Sequence, residues 1–158
     1  MQPNKEMDTL LNEMAVYKTE LAKGSASSQF QRIRDIIKSI PDINILSPEG
    51  YTYLMIAVMQ YKADIVKLLL EAGADPNIGL KNGVRPLAAI FSTRMDNREE
   101  IIRLLIDHGA DPSLANKTGQ TAFDVAEIAQ AEPHLIELLE QANMRLHGVP
   151  RGIKQSNA

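Results

Sequence analysis

The sequence has no cysteine among its 158 residues. That excludes disulfides, thiolate metal sites and cysteine nucleophiles, and it fits a reducing compartment. Aromatic residues are scarce, with four tyrosines and three phenylalanines, so any place where they gather stands out. The formal net charge is -3. Without a basic excess there is no electrostatic footprint for a phosphate backbone, and no nucleic-acid partner is expected. Apolar runs are short, Leu68-Leu69-Leu70 being typical. They fall far below the ~20 residues of a membrane span, so no membrane partner is expected either. Residues 1–8 carry neither the basic region nor the apolar run of a secretory signal. The expected location is the cytoplasm; delivery into another cell by an unconventional route would leave no mark in this composition.

Catalytic motifs are equally thin. The histidines are His108, His134 and His147, and no two stand four apart on a helix. Asp107, His108 and Asp111 form a weak metal pattern, outweighed by the place of His108 at a helix end, where a cation interacts favourably with the dipole. No glycine-rich phosphate loop occurs. Glu99 and Glu100 are adjacent and diverge on a helix. Ser25, Ser27 and Ser28 have no nearby histidine. Arg32, Arg34 and Lys38 read as a solvated face opposite Phe30, Ile33 and Ile37. No catalytic residue, cofactor or metal site is therefore assigned, and the chain is not expected to be an enzyme.

What the chain does have is a phrase said twice. Gly73-Ala74-Asp75-Pro76-Asn77 closes one leucine-rich stretch, and Gly109-Ala110-Asp111-Pro112-Ser113 closes another. Gly50, Gly83 and Gly119 recur at intervals of 33 and 36 residues. Self-similarity at this period signals stacked helical units that bury their apolar faces on one another. The first complete unit spans 47–79. Its short first helix holds Leu54, Ile56, Ala57 and Val58, and its second helix covers 63–72 with Ile65, Leu68 and Leu69 on one face. Gly73 ends that helix in the left-handed conformation that costs glycine least. The second unit, 80–114, starts its first helix at Pro86, the favoured first helical position. Its excess falls at 92–97, and Asp96/Glu99 or Asn97/Glu100 has capping-box spacing for the next helix. The third unit begins at Gly119, with Pro133 leading its second helix and Asn143 expected as the left-handed stop. A degenerate unit comes before these, with Phe30, Ile33, Ile36 and Ile37 as its stripe, a capping box at Ser28/Gln31 and Asp42-Ile43-Asn44 as its close. A helix over about 5–23 precedes it, carrying Met7, Leu10, Met14, Tyr17 and Leu21.

These residues resemble the ankyrin repeat, whose unit opens with Thr-Pro-Leu-His-x-Ala and closes with Gly-Ala-Asp-x-Asn. Here the openings are Thr52-Tyr53-Leu54-Met55-Ile56-Ala57, Arg85-Pro86-Leu87-Ala88-Ala89-Ile90 and Thr121-Ala122-Phe123-Asp124-Val125-Ala126. The resemblance implies an all-α helix-turn-helix solenoid with hairpin-like loops. The expected division is an N-terminal capping helix at 1–24, a repeat domain at 25–144 and a flexible C-terminal tail at 145–158. Two departures carry expectations. Met55, Ala88 and Asp124 stand where the family has histidine, which predicts looser loops. Tyr61 stands where it favours glycine between helices, which predicts either strain or a different turn.

The resemblance also implies a non-catalytic protein-binding module acting as adaptor, inhibitor or neutraliser of one protein partner. A small bacterial effector or toxin-neutralising protein is one form of this. Contact is expected on the concave side, at loop tips and exposed first-helix positions. By register these are Glu49, Tyr51, Lys81, Asn82, Val84, Lys117, Thr118 and Gln120 at the tips, with Met59, Gln60, Ser92, Thr93, Arg94 and Ile128 on or beside the first helices. Tyr51, Tyr53 and Tyr61 gather around Met59, and tyrosine and methionine are favoured in interface cores. A monomer in isolation is expected. The alternative is an oligomeric scaffold assembled through the N-terminal stripe, against which stands the absence of sustained heptads.

Overall fold

The computed structural model describes residues 3–23, 26–92 and 96–151. Among these residues the regular elements are helical and fall into pairs. The first pair is α1 (Pro3–Lys23) with α2 (Ala26–Ser39), and the second is α3 (Tyr53–Met59) with α4 (Ala63–Glu71). Next come α5 (Pro86–Ala89), prolonged by a 3-10 turn at Ile90–Ser92, with α6 (Arg98–Asp107), and then α7 (Ala122–Ile128) with α8 (Pro133–His147). The first members α3, α5 and α7 stack on one another in one row, and α2, α4, α6 and α8 form a second row behind them.

One continuous core lies between the rows. Ile33, Ile65, Leu69, Ile101, Leu105 and Leu139 are wholly buried, one after another along the stack. No single helix pair could hide these side chains alone, so each unit depends on its neighbours. A buried Leu or Ile contributes roughly 1.5–3 kcal/mol.

The N-terminal stripe belongs to this core. Met7, Leu10 and Met14 are at most 4% exposed, and the Gln29 side-chain amide of α2 donates to the Glu13 carboxylate of α1. An assembly seam would need those three residues on the outside. The side chains of Tyr17 and Leu21 lie outside the described part.

Local chemistry follows the sequence at most helix starts. Thr52 caps α3, accepting from the Met55 amide at 3.0 Å. Pro86 and Pro133 occupy early positions of α5 and α8. Thr121 and Asp124 form a reciprocal capping box on α7.

Three expectations are corrected. Asn97 is the residue before α6, but its side chain makes no cap there; its amide turns away to the carbonyl of Tyr61, 2.7 Å distant. Ser28 lies inside α2, and Gln31 bonds forward to Asp35 at 2.9 Å, so no capping box forms. Asn143 does not stop α8. It is helical and 3% exposed, and the helix runs on to Gly148 (φ 70°). The Asn143 amide instead donates to the Val149 carbonyl at 2.8 Å and fastens the chain that follows. Where the histidines are missing, other side chains close the loops. The Asn82 carbonyl oxygen accepts from the Val84 amide at 3.0 Å, and that of Asn116 accepts from Thr118 and Gln120, both at 2.9 Å.

The repeated closing phrase has a structural purpose of its own. The Asn44 side chain accepts from the Asp75 amide at 2.8 Å. One unit on, Asn77 accepts from the Asp111 amide at 2.8 Å and donates to the Gly109 carbonyl at 2.9 Å. Each loop thus reads the next. At the last loop His147 takes over, its Nε2 lying 3.0 Å from Asp111 and 3.1 Å from Ser113 Oγ.

Candidate functional site

Three loops project as fingers beside the first-helix row. Each is closed by the same backbone bond: Ser47 N to Tyr51 O at 2.9 Å, Leu80 N to Val84 O at 2.9 Å, and Asn116 N to Gln120 O at 2.8 Å. The fingers also grip one another. The Lys81 ammonium donates to the Pro48 carbonyl at 3.2 Å, and the Lys117 amide to the Asn82 carbonyl at 3.0 Å. Arg85 takes the place of a capping threonine and spends its guanidinium on the Ala115 carbonyl of the next finger, 2.7 Å away. Gly83 sits where fingers two and three come closest. A Cβ there would lie 3.0 Å from backbone atoms of Asn116 and Lys117, at a φ of 83° that side-chain-bearing residues avoid. The three tips therefore form one pre-set surface.

Along the first-helix row the exposed side is partly apolar. Met59 is 50% and Ile128 70% exposed. They occupy the same place in their units, nine residues after Gly50 and Gly119, and Ser92, also exposed, holds that place between them. Exposed apolar side chains thus stand at matching positions of two units, beside polar finger tips.

At one end of the row α1 and the first finger enclose a groove of about 480 Å3. Met7, Asp8 and Leu11 of α1 line one side. Ser47, Glu49, Tyr51, Ile56, Met59 and Gln60 line the other. The Glu49 carboxyl is held below its ordinary value by its own backbone N–H, then by the Ser47 hydroxyl and more weakly by Lys81.

The expected contact residues separate clearly. Glu49, Met59, Gln60, Lys81, Asn82, Ser92, Lys117, Thr118 and Gln120 are exposed, and Tyr51, Tyr61 and Val84 are half-buried. Thr93 and Arg94 lie outside the described residues. Tyr53 leaves the set. It is 1% exposed, because it follows the capping Thr52 and points into the core. Its hydroxyl is buried with no hydrogen-bond partner, and burial, with the nearby Glu6 charge, pushes its pKa up. The groove also takes in Asp8 and Leu11, which sequence reasoning did not single out. Their signal was faint, since only a helix packed against the first finger brings them there.

Tyr61 has φ 55° and Gln130 φ 51°, the equivalent inter-helix turns of two units. A left-handed residue thus makes both turns without glycine. The Tyr61 ring packs on the core and is held up in pKa by burial.

A second hollow, about 540 Å3, lies at the other end between Phe123, Asp124, His147 and the segment 149–151. Arg151 stacks over Phe123 at 4.9 Å, pairs with Glu127 and reaches Glu140 at 3.2 Å. Up to residue 151, then, the chain after α8 is pinned across the last unit. Among the described residues no group of three or more His, Asp or Glu is placed to hold a metal, and no helix is long and apolar enough to cross a membrane.

Two proteins named mitochondrial disaggregase, from Homo sapiens and Bos taurus, are each 32% identical over 59 residues, 37% of this chain. The match takes in 8% and 9% of their lengths, so the chain spans under a tenth of the curated relatives it matches. A family model described as ankyrin repeats, three copies, matches residues 25–116 and 54–146.

Proposed function

The chain belongs to the ankyrin repeat family, and from that premise we propose that it is a non-catalytic module that binds one protein partner on its concave face. Ankyrin repeats generally mediate protein–protein interaction. The finer reading, as adaptor, inhibitor or neutraliser, assigns contact to the finger tips and the exposed side of α3, α5 and α7.

The observation that carries this reading is the placement of Met59 and Ile128. Both are large, apolar and exposed at the same register, on a face whose fingers are locked together by Lys81, Arg85 and the Lys117 amide. A rigid surface loses little entropy on docking, which favours affinity. On the second row α6 carries a solvent-facing charge pair, Arg103 with Glu99 at 2.8 Å, and the exposed apolar side chains Met144 and Leu146 lie near the end of α8.

Photo-crosslinking in a native extract tests the reading. A benzophenone side chain at position 59 or 128 should give one discrete adduct, and the same group at position 71 or 103 on the second row should give none. Equal labelling from both rows would overturn it.

A further inference from the structure

We propose that the groove between α1 and the first finger is the anchor pocket of this binding face, and that it takes a partner segment bearing an apolar side chain next to a lysine or arginine. The proposal rests on the reading that the concave face binds protein. The groove's apolar lining comes from Met7, Leu11, Ile56 and Met59, and the charged groups lining it are Asp8 and Glu49, both acidic, with the Lys81 ammonium held nearby on the Pro48 carbonyl. The two carboxylates come from opposite walls, one from α1 and one from the first finger. A basic side chain laid across the groove would rest its stem on the methionines and leave its head between them.

The size suits such an occupant. About 480 Å3 lies within the range of sites that enclose a small ligand, some 300–1,000 Å3, so it accommodates one large side chain and its neighbour. Methionine adapts its shape to what it meets, which suits the exposed Met59 to an inserted apolar group. An acidic segment would meet like charge at the rim and be rejected. The Glu49 carboxyl is held below its ordinary value by its own backbone N–H and by Ser47, and more weakly by Lys81.

Panning a phage-displayed random 12-residue peptide library on the full chain tests this, with hydrogen-exchange mapping of the selected peptides. The expected peptides pair Leu, Ile, Phe or Met with Lys or Arg, and protect residues around 8–11 and 56–60. Their binding should weaken about tenfold in D8K/E49K and in M59D, and by less in the milder D8N/E49Q. R103Q on the second row, away from the binding face, should leave it unchanged. Circular dichroism checks that each variant stays folded. Selected peptides without a basic residue, or binding untouched by both D8K/E49K and D8N/E49Q, overturn the proposal. Peptides that protect only the second and third fingers overturn the groove but leave the concave-face reading intact. A library with no enrichment at all overturns the groove, and crosslinking from positions 59 and 128 decides the concave-face reading separately.

Discussion

The side-chain amide of Asn97 donates to the backbone carbonyl of Tyr61 at 2.7 Å, across 36 residues and two units. It is the structural yield of the longer inter-helix turn in the second unit. That turn gives up a capping box and in return holds the neighbouring turn, where Tyr61 sits at φ 55°.

Asn97→Ala should therefore lower stability by about 1–2 kcal/mol, since it leaves a carbonyl unpaired in a half-buried turn. Thermal denaturation of the two proteins checks this.

The paired turns give a comparison free of that bond. Gln130 is exposed at φ 51°, so Gln130→Gly removes left-handed strain without removing packing. It should raise stability by roughly 0.5–1 kcal/mol. Tyr61→Gly should gain less or lose outright, because its ring packs on the core. Urea midpoints measured side by side separate the two.

Asn77→Ala should cost about 1–3 kcal/mol by removing both bonds to the next loop. Asn77→Asp should fall between, as it keeps the acceptor for the Asp111 amide and loses the donor to Gly109. Hydrogen exchange at the amide of Asp111 reports the loss directly.

Much of this was legible in the sequence, because the period, the closing glycines and the capping threonines are local signals. Asn143 was misread for a physical reason. In register it stands where Gly73 and Gly109 end their helices, but its side chain bonds the chain beyond, so the helix continues. Tyr51 and Tyr53 look alike in sequence, and only the cap between them decides that one stays at the surface and the other enters the core. Long-range placements such as Asn97 bonded to Tyr61, or Asp8 across a groove from the first finger, leave no local trace.

The last loop carries a pH signature. Burial alone would raise the Asp111 carboxyl, but bonds from Ser113 and His147 outweigh it and lower its pKa. A carboxyl whose folded pKa is depressed contributes stability that is present above its unfolded value, 3.8, and is lost as pH falls through the lower folded value. Stability should thus decline below about pH 4, and less steeply in Asp111→Asn. Urea unfolding from pH 6 to 2 measures both slopes.

Arg151→Ala should loosen the chain after α8 and cost about 1 kcal/mol, from its stacking on Phe123 and its pairing with Glu127 and Glu140. Part of that loss should vanish at high salt, where exposed pairs are screened. Denaturation at low and high ionic strength shows the difference.

The most direct test of the account is the affinity of the crosslinked partner for the wild type and for Met59→Asp/Ile128→Asp, with matched melting temperatures. Two central apolar contacts replaced by charge should weaken binding at least about a hundredfold. An unchanged dissociation constant would contradict a concave binding face.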